Sequence, residues 1–153
     1  MALLRIAKLT DYGIVLLATM ARDRRPSWSA SELTEATALP SATVAKVLKT
    51  MTKGGLLSSH RGKLGGYSLG RPAKSISLLE IVELMDGPVC LTECSGKSSH
   101  TCSISRGCPV RGHWRRINET VRRALMGLTL ADMAEPLPRS AESGAALLRI
   151  AKR

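Results

Sequence analysis

Apolar residues recur at helical spacing from Thr10 to about Arg22, where Ile14, Leu17, Ala18 and Ala21 fall on one face. Thr10 stands where a capping hydroxyl belongs and Asp11 suits a first turn, so a first helix is expected to begin there and to end at Arg24, Arg25 and Pro26. A short second helix is expected over Ser31 to Thr37, capped by Ser31, with Pro40 closing the turn after it. From Ser41, its expected cap, to Lys53 the pattern splits cleanly. Val44, Val47, Leu48 and Met51 face one way, while Ala42, Thr43, Lys46, Lys49, Thr50 and Lys53 face the other, and Gly54-Gly55 stops the helix. Two short runs follow, Leu56 to Arg61 and Gly66 to Leu69, joined by Gly62-Lys63-Leu64-Gly65, which reads as a hairpin turn.

Beyond Pro72, Ser75 or Ser77 can cap a fourth helix built on Ile76, Leu79, Ile81, Val82, Leu84 and Met85 and ending at Gly87-Pro88. Residues 88–107 are a Cys, Ser and Gly loop. A long helix is expected to start with Pro109 in its first position and to run to about Gly127. Its apolar positions Trp114, Ile117, Val121, Ala124 and Leu128 step by three, four, three and four, the pattern of a helix–helix dimer seam. Thr129 with Asp132 resembles a capping box opening one more short helix, and disorder is expected beyond Glu135. Leu-Leu-Arg-Ile-Ala-Lys occurs at residues 3–8 and again at 147–152, but one recurrence has no period and signals no repeat architecture.

The fold class these elements predict is mainly α with a small β-hairpin wing, a winged helix-turn-helix followed by a long dimerisation helix. Four segments are expected. Residues 1–87 form the DNA-binding domain, 88–107 the cysteine loop, 108–134 the dimerisation helix and 135–153 a tail.

A formal charge of +11 makes the 153-residue chain a partner for a polyanion. No apolar run reaches eighteen residues, and Leu3 to Met20 carries Arg5, Lys8 and Asp11 without a small-residue cleavage site, so a cytoplasmic protein without membrane association is expected. Aromatic residues make up only 3%, which argues against stacking single-stranded bases and leaves duplex DNA. Between Ala36 and Leu79 lie Lys46, Lys49, Lys53, Arg61, Lys63, Arg71 and Lys74 and no acid. A charge run is commonly only a solvated face. This one coincides with a helix, a turn, a helix and a glycine-rich hairpin, the arrangement that seats a recognition helix in the major groove. Thr43 and Lys46 near the helix start are placed to reach base edges, and Arg61 to reach a phosphate or the minor groove. With Ser41, Lys49, Lys63 and Tyr67 they form the candidate DNA-contacting set. No nucleophile–base pair, phosphate loop or paired carboxylates are legible, so an enzyme is not expected.

Cys90, Cys94, Cys102 and Cys108 fall within nineteen residues, separated by three, seven and five. Thiolates converging from a flexible loop suit an iron–sulfur cluster. Spacing alone does not choose the metal, since zinc accepts four thiolates and a reversible disulfide is a further use of them. His60, His100 and His113 are more readily read as ordinary surface or core groups than as ligands.

The run Leu56-Leu57-Ser58-Ser59-His60-Arg61-Gly62-Lys63-Leu64-Gly65-Gly66-Tyr67-Ser68-Leu69 resembles the wing of the IscR/NsrR group of Rrf-type regulators, with its R-G-x-x-G-G-Y motif. Thr10-Asp11-Tyr12-Gly13 resembles that group's opening. Gly87 to Cys94 and Cys108 to Trp114 are similar to the cluster loop of regulators of the SUF iron–sulfur assembly system. The resemblance covers roughly residues 3–134. It implies a homodimeric repressor of cluster-assembly genes, swapped through its long helices, binding a double-stranded DNA operator and holding a two-iron two-sulfur or four-iron four-sulfur cluster. Cys94, Cys102 and Cys108 carry over as ligands. Two departures stand out: the gap between Cys94 and Cys102 is seven residues rather than five, and Arg111 stands where the IscR type has a histidine. The fourth ligand falls to Cys90, favoured because thiolate is the commoner ligand, or to Asp11, which occupies the place where NsrR-type relatives supply an acid from the partner's first helix. The alternative reading is a winged-helix regulator responding through zinc, thiol redox chemistry or nitric oxide.

Overall fold

The computed structural model describes residues 6–136 except 24, 63, 64, 96–103, 105 and 106. Helix α1 (Lys8–Arg22) starts two residues earlier than its hydroxyl signal suggested, and Thr10 is not its cap. Thr10 is buried, and its hydroxyl donates to Asp86 Oδ1 at 2.6 Å, while the Ala7 N–H donates to Asp86 Oδ2 at 3.0 Å. The first turn is thus capped from across the fold by a carboxylate that complements the helix dipole. The buried stripe of α1 is wider than the predicted face. Leu16 and Leu17 are fully buried, with Ile14 and Met20 beside them.

Helix α2 (Ala30–Thr37) is capped by Ser29 rather than Ser31. The Glu32 N–H donates to Ser29 Oγ at 3.2 Å and the Ser29 N–H donates to Glu32 Oε2 at 2.7 Å, a reciprocal box that holds the Glu32 carboxyl below its ordinary value. Ala38 then turns the chain in a left-handed conformation, φ 53° and ψ 22°, unusual for a residue with a Cβ. Helix α3 (Ser41–Lys53) occupies its predicted span. Pro40 stands in the capping position, and its carbonyl accepts from the Thr43 and Val44 amides, so Ser41 is the first helical residue and makes no cap bond.

Strands β1 (Leu57–His60) and β2 (Gly66–Leu69) pair antiparallel, Leu57 opposite Leu69 and His60 opposite Gly66. Trp28, unassigned in the sequence reading, pairs with Tyr67 along the free edge of β2. Its N–H donates to the Tyr67 carbonyl at 2.9 Å, and the Tyr67 N–H donates back at 2.7 Å. Gly66 permits this approach, since a Cβ there would stand 2.6 Å from the Trp28 carbonyl oxygen.

Helix α4 (Leu78–Asp86) takes Ser77 as its cap, while the Ser75 hydroxyl donates to the Pro72 carbonyl in a preceding 3-10 turn. Helix α5 (Arg111–Met126) starts later than expected, leaving Pro109 in the turn before it. The expected seam therefore divides. Trp114, Ile117 and Ala124 are exposed and Val121 is half-buried, whereas Leu128 lies past the helix end and packs on the core. Helix α6 (Leu130–Ala134) carries the predicted capping box of Thr129 and Asp132. Its Leu130 is fully buried, and short bridges join residues 128–130 to 76–78. The helix packs along α1, so the end of the described chain closes on its beginning. From residue 137 the expected disordered tail lies outside the described residues.

The core is aliphatic, with Leu16, Leu17, Leu33, Val44, Val47, Leu48, Met51, Leu56, Ile76, Ile81 and Leu130 all inaccessible. Each Leu or Val buried this way contributes about 1.5–3 kcal/mol relative to exposure. Among the described residues no helix is long and apolar enough to cross a membrane.

The Thr129 hydroxyl and amide hold the Asp132 carboxyl below its ordinary value. A depressed carboxylate contributes stability that is complete above its unfolded value and is lost as the pH falls through its folded value. Thr129→Ala is expected to lower stability by about 1 kcal/mol at neutral pH. In urea unfolding, the gap between variant and parent should shrink below about pH 4, as Asp132 protonates.

Candidate nucleic-acid interface and cysteine loop

Burying Val44, Val47, Leu48 and Met51 turns the other face of α3 to solvent. Ser41, Lys46, Lys49 and Lys53 are exposed, and Thr43 is half-buried in the first turn. Gly13 lets α1 approach closely enough for this seating, since a Cβ there would lie 2.7 Å from the Met51 methyl carbon. Arg61 is exposed at the end of the hairpin, and Tyr67 is half-buried against the core, fixed through its backbone to Trp28. Lys63 lies outside the described residues.

Among the described residues, no ion pair involves Lys46, Lys49, Lys53 or Arg61. Arg71, in the same acid-free run, is paired with Glu80 from beyond it. Folding therefore concentrates uncompensated positive charge on α3 and the hairpin. With no side-chain cap, the first turn of α3 also leaves amides available to an anion.

The cysteine segment runs against α5. Asn118, buried to 5% exposure, accepts from the Leu91 N–H at 2.9 Å and donates to the Val89 carbonyl at 3.1 Å, bracketing Cys90. The Glu83 carboxylate of α4 accepts from the Val89 N–H at 3.3 Å and pairs with Arg122 of α5. Cys90 itself is exposed, and Cys108, just ahead of α5, is half-buried. The 3-10 turn of residues Glu93–Ser95, which contains Cys94, packs on α5. Cys102 and His100 lie outside the described residues, as does the side chain of Cys94. Asp11 is exposed on α1. Among the described residues no three His, Cys, Asp or Glu side chains form a metal-sized cluster.

Asn118, Glu83 and Arg122 were missed in the sequence. The available signal was period: Asn118 shares a face of α5 with Val121 and Leu125, so a lone amide on an inward stripe marks a polar group needing internal partners.

Two packed helices joined by a tight turn, followed by a two-stranded wing, define a winged helix-turn-helix protein. The family described as Rrf2, iron-dependent transcriptional regulators, matches residues 6–136, and the chain belongs to this family of DNA-binding, typically dimeric regulators, which are not enzymes. It is similar to the solved structure of CymR, the global cysteine regulator of B. subtilis, at 24% identity and TM-score 0.66, covering 86% of this chain and 96% of that one. Staphylococcus aureus CymR matches at 27% identity and TM-score 0.64, covering 86% and 99%. T. potens IscR shares the fold at 22% identity and TM-score 0.62, covering 93% and 91%. Protein aau3 of Rhizobium meliloti (strain 1021) is 25% identical over 135 residues, 88% of each chain.

Two outcomes follow. Replacing Lys49 by Gln should reduce the magnitude of the log–log salt slope of duplex DNA binding by about 0.9 for each phosphate that lysine neutralises, with melting unchanged. Asn118→Ala should leave the Leu91 N–H and Val89 carbonyl without their partner. Amide hydrogen exchange at Leu91 should accelerate about tenfold or more, since orphaning a buried group costs about 1–3 kcal/mol.

Proposed function

We propose that this transcription regulator is a homodimeric repressor that binds a two-fold operator through two copies of the 41–70 helix and wing and reports iron–sulfur status through its cysteine loop. The observation that carries this reading is the basic face of α3, without an ion pair among the described residues, on the same body that anchors the cysteine segment. Residues 1–87 would serve DNA, residues 88–107 the cluster, and residues 108–134 the dimer. Thr43 and Lys46 would meet base edges, while Ser41, Lys49, Arg61, Lys63 and Tyr67 would set phosphate contacts and register. A dimer using several of these groups gives a salt slope steeper than about −4. The exposed stripe of Trp114 and Ile117 on α5 suits a second copy of the helix.

The donor set fits an iron–sulfur cluster in its chemistry: thiols on a segment held to α5, in a family described as iron-dependent. Cys94, Cys102 and Cys108 would hold it, with Cys90 or Asp11 completing the set. The cluster, when bound, supplies a centre whose charge and occupancy respond to iron, oxidants or nitric oxide. Asn118 holds the neighbours of Cys90 seven residues along α5 from its start at Arg111, roughly 10 Å of helix from the end that carries Cys108. The resemblance of the 87–94 and 108–114 segments points to genes of cluster assembly as targets.

Protein purified without oxygen should absorb in the visible and contain iron and acid-labile sulfide, both lost in Cys102→Ala and Cys108→Ala. Retention of the spectrum in Cys90→Ala but not in Asp11→Asn would assign the fourth place to the acid, and the reverse to the thiol. Colourless protein that takes up zinc, or that forms a disulfide on mild oxidation, would overturn the cluster reading and leave a zinc or thiol-redox regulator on the same DNA-binding body.

A further inference from the structure

A groove of about 770 Å³ lies away from both α3 and the cysteine segment, between the end of α1, the stretch after β2, and α6. Its size falls within the range of small-molecule sites. Met20, Trp28, Leu69 and Ala131 give it an apolar floor, and Arg22, Arg25, Arg71 and Lys74 stand in its wall, with Glu135 as the acid among the lining residues. Two of these cations are already engaged. Arg25 pairs with Asp23 at 2.8 Å and lies 4.4 Å over the Trp28 ring, and Arg71 pairs with Glu80. Arg22 and Lys74 make no ion pair among the described residues.

Trp28 supplies an independent sign. It is 3% exposed, and its indole Nε1 is buried without a hydrogen-bond partner among the described residues. An indole N–H can only donate, and a buried donor left unmet costs about 1–3 kcal/mol. Trp28 itself lines the groove, so an unmet donor belongs to a residue set between an apolar floor and a cationic wall, an arrangement that asks for a ligand carrying an acceptor.

We propose that this groove binds a small organic anion, its aromatic or aliphatic body on the floor and its carboxylate on Arg22 and Lys74. An acceptor atom of the ligand meets the Trp28 indole once Arg25 swings from that ring onto the anion. Because the Trp28 backbone is bonded in both directions to Tyr67 of β2, an occupant of the groove bears directly on the wing. The site is independent of the cluster reading and stands or falls apart from it.

The chain has two tryptophans, Trp28 and Trp114, so its nitrogen-15 spectrum has two indole signals to follow. Titration with 4-phenylbutyrate is expected to move the Trp28 signal saturably and leave Trp114 in place, with neutral 4-phenylbutan-1-ol binding at least tenfold more weakly. Arg22→Gln, at an exposed position, should weaken the acid about tenfold, the loss of one charge-assisted hydrogen bond, and Ala131→Phe should block the groove. A Trp28 signal unmoved at millimolar acid, equal binding of acid and alcohol, or equal movement of both indoles would overturn the proposal.

Discussion

The burial of one face of α3 is the constraint from which the rest of the molecule follows. A helix has two sides, and seating Val44, Val47, Leu48 and Met51 in an aliphatic core leaves Lys46, Lys49 and Lys53 nowhere to go but outward. The seating is tight on both flanks. Gly13 admits the Met51 methyl from α1, and Gly54, at the end of α3, lies where any Cβ would meet the Leu84 side chain of α4 at 2.4 Å. Close packing of this kind transmits displacement rather than absorbing it.

Polar groups do the joining that apolar packing cannot direct. Asp86 ends α4 and caps α1, tying the two helices that flank α3. Glu83, one turn earlier, reaches the cysteine segment at Val89 and α5 at Arg122, while Asn118 holds both sides of Cys90. A continuous physical route therefore leads from the cysteine segment through α4, by way of Leu84, to the end of α3. Adjacency supplies the route, and a measured coupling between the two ends would give it a magnitude.

Family membership rests on nearly the whole described chain, yet likeness near 25% identity speaks to architecture more than to signal. CymR and IscR share this scaffold, and the cysteine content of the 90–108 segment is what separates readings within it.

The amino-acid sequence alone determined the elements with strong periodicity or unambiguous turn chemistry. The span and inner face of α3, the hairpin around Gly62–Gly65, the Thr129–Asp132 box and the concentration of positive charge were all legible, because each depends on residues within a few positions of one another. Its capping errors have one cause. Thr10, Ser31 and Ser41 each carry a hydroxyl suited to capping, but Asp86, Ser29 and Pro40 took those roles. Competing local signals were decided in two cases by a neighbour two residues or fewer away, and in the third by a carboxylate more than seventy residues distant. Only the tertiary structure could place Trp28 on the edge of β2, direct Asn118 inward beside Cys90, and pair Arg71 with Glu80 while leaving Lys46 and Lys49 without an ion pair among the described residues. Those outcomes depend on which distant groups arrive within hydrogen-bonding reach once the core closes, and no local pattern encodes that distance.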